Sequence, residues 1–193
     1  MTGNDIVDLA TAAVESNWKR KGFLEKIFTA QEQQYIRKAV SPEEMVWRLW
    51  SMKESAYKIY TRQYGQRFFA PQKFSCTILN GPAGKVEIKD ATYHTVTYTH
   101  KKYIYSIARL NEPGTVSFSD CCFRITATDF GKQQQFIYER MISHYAIVSG
   151  EEKNDIEIIK DRNGIPFLYC RQDKRNIPVS ITHHGSYAAF TIY

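Results

Sequence analysis

Trp50-Ser51-Met52-Lys53-Glu54-Ser55-Ala56-Tyr57-Lys58 sits inside a helical pattern that opens at Ser41-Pro42-Glu43-Glu44, with Pro at the first helical position, and runs to about Tyr60. Advancing each residue by ~100° gathers Met45, Leu49, Met52, Ala56 and Ile59 into one narrow stripe. Trp47, Trp50, Glu54 and Lys58 fall together on the opposite side. A helix with aliphatics on one face and two tryptophans on the other is expected to be covered on both. Glu54 and Lys58 are then expected in a partly desolvated, aromatic-rimmed place.

Upstream, Phe28-Thr29-Ala30-Gln31-Glu32 carries the capping-box spacing of a helix start, with Thr29 at the N-cap and Glu32 three residues on. Thr11 to Lys21 reads as a helix or an irregular connector, and Asp5 to Leu9 as a short strand leaving a glycine turn at Gly3. Downstream of Gly65 the pattern becomes alternation. Phe74, Cys76 and Ile78 point one way, and Val86–Ile88, Tyr93–Tyr98 and Tyr103–Ile107 read as further strands of an antiparallel meander. Asn111-Glu112-Pro113-Gly114 is a polar linker carrying both breakers. After it, Phe130 to Val148 reads as a helix, Asp161 to Gly164 as a turn, and Ile156–Ile159, Ile165–Tyr169, Ser180–Ile181 and Tyr187–Tyr193 as strands. Both parts run helix first and antiparallel strands after. The expected class is therefore α+β, with two similar half-units at 1–110 and 115–193.

The chain has 193 residues, with 26 Lys+Arg against 20 Asp+Glu and a net charge of +6, which suits an anionic partner. Its 3 Trp, 13 Tyr and 11 Phe argue against disorder. No apolar run approaches the ~18–20 residues of a membrane span, and Met1 to Asp5 lack a secretory pattern, so a cytoplasmic location is expected. Cys76, Cys121, Cys122 and Cys170 form no framework and read as free thiols.

Two constellations carry chemistry. Asp5 on a strand and Glu54 on a helix, if they converge, make a hard-cation site, because Mg²⁺ takes oxygen ligands and shares them with phosphates. Lys58, one turn beyond, adds a phosphate contact. On spacing alone the ordinary reading of Glu54 and Lys58 is a common i,i+4 pair worth about 0.2–0.5 kcal/mol. His183-His184-Gly185, flanked by Thr182 and Ser186, could bind phosphate, act as a base or ligate a transition metal, although no HxH or HxxxH spacing supports zinc. From the residues alone the ordinary reading is a turn with one buried and one exposed His. The basic clusters at Lys19-Arg20-Lys21, Lys101-Lys102 and Lys174-Arg175 are short and scattered, unlike a nucleic-acid platform. Lys19, Arg20 and Lys21 are the cluster that fits docking of an acidic partner.

Read in order, Gly3-Asn4-Asp5-Ile6-Val7-Asp8-Leu9, Phe28-Thr29-Ala30-Gln31-Glu32, the Trp50–Lys58 stretch, Gly164-Ile165-Pro166-Phe167-Leu168 and Ser180-Ile181-Thr182-His183-His184-Gly185 resemble the motifs of the 4′-phosphopantetheinyl transferase superfamily. The motif order is that of the short, holo-acyl-carrier-protein synthase branch, whose members form trimers. The W-S-M-K-E-S match and the strand-rich stretch from Phe74 to Leu110 look like the long branch, in which two units are fused. One account is a circularly permuted pseudo-dimer, monomeric, with one site between its halves. The other is a short-branch trimer with an insertion before Gly164.

The resemblance implies transfer of 4′-phosphopantetheine from coenzyme A (CoA) to a serine of an apo acyl or peptidyl carrier protein, with release of 3′,5′-ADP. It implies Mg²⁺ on Asp5 and Glu54, catalysis by Glu54 and Lys58, and CoA contacts from Lys53, Lys58, Thr182, His183 and Arg162. It also implies carrier docking near Lys19, Arg20, Lys21 and Phe28. The alternative is a non-catalytic relative that binds CoA or a carrier protein. Two departures stand out. Ile165 occupies a position where the long branch has lysine, with Arg162, Arg171 or Lys174 as replacements. Val7 stands where that branch has a third carboxylate, and Asp8, one residue out of phase, ranks below Asp5.

Overall fold

The computed structural model describes residues 1–110, 119–126 and 129–193. The first strand, β1 (Thr2–Asp8), is followed by four helices, α1 (Leu9–Glu15), α2 (Phe23–Ile27), α3 (Ala30–Lys38) and α4 (Pro42–Tyr64). A meander of β2 (Ser75–Ile78), β3 (Ala83–Ile88), β4 (Ala91–His100) and β5 (Tyr103–Arg109) completes a five-stranded antiparallel sheet in the order β1-β5-β4-β3-β2. The second half repeats the scheme. β6 (Ser119–Arg124) leads into α5 (Phe130–Ser149), then β7 (Ile156–Lys160), β8 (Pro166–Cys170), β9 (Arg175–His184) and β10 (Tyr187–Ile192), in the order β6-β10-β9-β8-β7. Each sheet thus places its first strand beside its last, and the expected α+β pair of similar units is what the structure shows. The linker expected at 111–114 lies outside the described residues.

Helix α4 organises the first unit. Val46, Leu49, Met52, Ala56 and Ile59 are fully buried against the sheet, while Trp47 is also buried and Trp50 half-buried on the other side. Both faces are covered, as the stripe predicts. The helix outlasts its expected end at Tyr60 and stops at Gly65, whose φ of +65° is a left-handed C-cap. Gly3 corrects the expectation of a turn. It lies inside β1, where a Cβ would come 2.1 Å from the Ser55 carbonyl oxygen, so only glycine lets α4 lie this close.

The Thr29 capping box forms, with the Thr29 N–H donating to Glu32 Oε2 at 2.7 Å and the Glu32 N–H donating to Thr29 Oγ1 at 3.3 Å. The other Glu32 oxygen is at the centre of the core. It accepts from Lys53 Nζ at 2.8 Å and from the Cys76 N–H at 2.6 Å. Lys53, 1% exposed, also donates to the carbonyls of Pro71 (3.0 Å) and Phe74 (2.5 Å). One ion pair therefore ties α3, α4 and the start of β2 together.

The two units meet along the outer edge of β1. There Asn4 N–H donates to Ser180 Oγ (3.1 Å), Ile6 N–H to Thr182 Oγ1 (3.3 Å) and Asp8 N–H to His184 Nδ1 (2.9 Å). Alternate side chains of β9 thus meet alternate amides of β1. Ile6, Tyr105, Ile107 and Ala189 pack into the seam beside them. Asp8 faces away from Asp5 and caps α1, accepting from the Ala10 and Thr11 amides and from Ser186 N–H. The two histidines are the last residues of β9, and the turn falls on Gly185 and Ser186. Strand β6 has no counterpart in the sequence reading. All four cysteines are free, Cys76 and Cys170 buried and Cys121 and Cys122 half-buried.

Removing one partner of a buried pair strands the other charge, which costs about 3–5 kcal/mol. Lys53→Met should lower unfolding free energy by about that amount in urea titrations, and adding Glu32→Gln should recover part of it. An unchanged midpoint in Lys53→Met would contradict the core role of the pair.

Candidate active site between the two units

Three elements converge where β1, α4 and β9 meet. Asp5 projects from β1, with Oδ1 accepting from Thr182 Oγ1 at 3.2 Å and its backbone carbonyl accepting from Ser51 Oγ at 3.0 Å. Its second oxygen, Oδ2, is buried without a hydrogen-bond partner. Lys58 Nζ donates to the Asn4 carbonyl (2.6 Å) and the Ile181 carbonyl (3.3 Å), and lies 3.8 Å from Asp5 Oδ1. Glu54, one turn earlier, faces the same space. A cavity of about 360 Å³ opens over Asp5, Glu54 and His183, walled by Trp47 and Trp50 and rimmed by Arg20 and Lys26.

Burial dominates the electrostatics of the site. Burial raises the Asp5 carboxyl, against the opposing pull of Lys58 and Thr182. Burial and then the nearby Asp5 charge push Glu54 up to about 7, only partly offset by Lys58. Burial lowers Lys58 in spite of both acids, and loss of hydration followed by the Lys58 charge lowers His183, favouring the neutral ring. An orphaned buried oxygen beside a second carboxylate that resists ionisation is a fit for a hard divalent cation. No group of three or more metal-binding side chains exists among the described residues. A cation on this pair would take its remaining oxygens from water and from a phosphate ligand.

The structure brings together Asp5, Glu54, Lys58, Thr182 and His183. Thr182 is buried, and its hydroxyl joins Ile6 N–H to Asp5, so it positions the carboxylate. Lys53 does not face a phosphate: an ammonium has three donors, and Glu32, Pro71 and Phe74 take all three. Phe28 is 0% exposed in the first core, which removes it from any docking surface. Lys19, Arg20 and Lys21 are exposed, with Lys19 over the Trp18 ring and Arg20 over that of Phe23. Arg162 stands exposed on the turn before β8. Arg171 pairs with Glu157, and Lys174 sits in the β8–β9 turn; both follow the end of β8 remote from Ile165.

Sequence reading missed Arg62 and Arg67. Both border a second cavity, of about 400 Å³, with Lys58 and Gly164. Arg62 was within reach of the helical argument, because it lies four residues beyond Lys58 and eight beyond Glu54 on one face.

Between pH 4.5 and about 7 the folded chain holds a proton on Glu54 that the unfolded chain has released. Stability should therefore fall as pH rises through that window. Asp5→Asn removes the neighbouring charge, so Glu54 should titrate lower and the slope should flatten. ¹³C NMR of the Glu54 carboxyl and unfolding at several pH values would measure both effects, and an unmoved titration would separate the two acids.

No curated protein matches the chain. The family model described as the 4′-phosphopantetheinyl transferase superfamily matches residues 1–110, which carry β1, α4 and the Asp5, Glu54 and Lys58 side chains. The chain belongs to the 4′-phosphopantetheinyl transferase superfamily.

Proposed function

We propose that this protein is a holo-acyl-carrier-protein synthase-type enzyme. It moves the 4′-phosphopantetheine group of CoA to a serine of an apo acyl or peptidyl carrier protein. The observation that carries the reading is the half-buried Asp5–Glu54 pair with Lys58 one helical turn away, at the seam of two units. Asp5 and Glu54 would hold Mg²⁺, which when bound neutralises charge on the CoA diphosphate. The carrier serine oxygen forms a bond to the β-phosphorus, and the bond from that phosphorus to the bridging oxygen breaks, releasing 3′,5′-ADP. The serine proton goes to the Glu54 carboxylate, which faces the cavity beside Asp5.

Lys58 spends two of its donors on the Asn4 and Ile181 carbonyls, which fixes its ammonium at the seam and directs its remaining charge to the phosphates. His183, favoured as the neutral ring, offers an N–H to the same oxygens. Arg20 and Lys26 at the rim of the first cavity, with Lys19 and Lys21 nearby, suit the acidic surface of a carrier. Both sides of the site come from one chain, which supports the monomeric pseudo-dimer over the trimer. No helix among the described residues is long and apolar enough to cross a membrane. The reading assigns the reaction to the cytoplasm.

Incubation with apo-carrier, CoA and Mg²⁺ should add the phosphopantetheine mass to the carrier, and chelation should stop it. Glu54→Gln should slow transfer by about 10²–10⁴-fold, the usual range for loss of a general base. No mass increment on either a fatty-acid or a peptidyl carrier would overturn the reading, and CoA binding without transfer would favour the non-catalytic relative.

A further inference from the structure

The corner where β1 ends, α1 begins and β9 turns into β10 is held through Asp8. Its carboxylate accepts from the Ala10 and Thr11 amides of α1 and from Ser186 N–H of the turn. Its own N–H donates to His184 Nδ1 at 2.9 Å, the last rung of the seam between the units. The packing leaves no slack: a Cβ on Gly185 would come 2.1 Å from Thr11 Oγ1 and 2.4 Å from Asp8 Oδ2.

An imidazole nitrogen accepts only through its free lone pair, so Nδ1 carries no proton and the neutral ring holds its proton on Nε2. Nε2 lies 3.5 Å from Glu15 Oε2 on α1. His184 therefore stands between two partners on different elements. The β1 amide requires the neutral ring, and the α1 carboxylate favours the charged one. Ser180 and Thr182, the other two rungs, accept through hydroxyls that do not titrate. Of the three rungs only the third can gain a proton, and its side chain is 30% exposed, within reach of solvent.

The remaining charged neighbours set the balance. Asp5, one rung along β1, attracts a charged ring, and His183 on β9 opposes it. Tyr187 is the cross-strand neighbour on β10 and packs on Tyr103 of β5. Arg20 and Lys26 line the same cavity as His184 and disfavour a further positive charge there. Ala12, Ser16 and Arg20, on α1 and the chain after it, form part of that cavity's wall.

We propose that His184 is a pH-sensitive latch between the two units: its neutral ring holds the Asp8 amide, and protonation at Nδ1 releases that amide and passes the ring to Glu15 on α1. Acidification thus opens the last rung of the seam and loosens the corner on which α1 and the cavity wall are seated. The latch is a property of the fold and stands apart from the reaction assigned to the site.

Amide hydrogen exchange of the full chain, followed by NMR across the His184 titration and corrected for the intrinsic pH dependence of exchange, tests this. As the ring takes up its proton, Asp8 N–H should lose about threefold to tenfold in protection, the scale of one net hydrogen bond, while Asn4 and Ile6 stay within about twofold. His184→Asn, whose side-chain oxygen can accept in place of Nδ1 without titrating, should keep Asp8 protected throughout, whereas His184→Ala should leave it unprotected at every pH. Asp5, Glu54 and His183 are present in both wild type and His184→Asn, so the difference between the two isolates the ring. Glu15→Gln, at an exposed position, should move the loss of Asp8 protection to lower pH. Protection that stays level through the His184 titration, or that falls equally in His184→Asn, would overturn the latch and leave the transferase reading intact. An unmoved transition in Glu15→Gln would overturn the transfer of the ring to α1.

Discussion

The outer edge of β1 is the constraint on which the site depends. An edge strand presents unpaired amides, and burying them without acceptors costs free energy at every one. Here Ser180, Thr182 and His184 of β9 accept from Asn4, Ile6 and Asp8 in turn. The two sheets stay separate, yet β1 sits against β9 in a fixed register. That register puts Thr182 beside Asp5, and the lack of a side chain at Gly3 lets α4 bring Glu54 and Lys58 down onto the same seam. The chemistry-bearing residues are close because one strand has its edge satisfied by the other unit.

Two Lys–Glu pairs on or against α4 show how burial divides structure from function. Lys53 and Glu54 are neighbours in sequence, about 100° apart around the helix. Lys53 turns into the first core and is fully satisfied by Glu32, Pro71 and Phe74. Glu54 turns to the seam, where Asp5 opposes its ionisation and Lys58 only partly relieves it. The first pair holds helices and sheet together. The second stands at the seam, where burial raises both acids and lowers the lysine between them.

Much of this was legible in the chain. The stripe on α4, the capping box at Thr29 and the alternation from Phe74 to Ile107 are local patterns, and they appear as expected. Strand β6 was not legible, since Ser-Asp-Cys-Cys-Phe-Arg has no clean alternation and is held by its pairing with β10. The burial of Lys53 depends on Glu32, 21 residues away, and the place of Arg67 on Asn163, 96 residues away. Neither separation follows from periodicity. The resemblance places Phe28 with the docking residues, whereas its ring belongs to the core. The amide ladder of β1 could be seen only once β9 was placed beside it.

The central claim is that one chain builds one complete site between its own two units. Sedimentation velocity in the presence of CoA and Mg²⁺, combined with binding stoichiometry, tests it most directly. The account predicts one CoA per chain on a species of 22.5 kDa. A three-chain particle that loses CoA when it dissociates would contradict it.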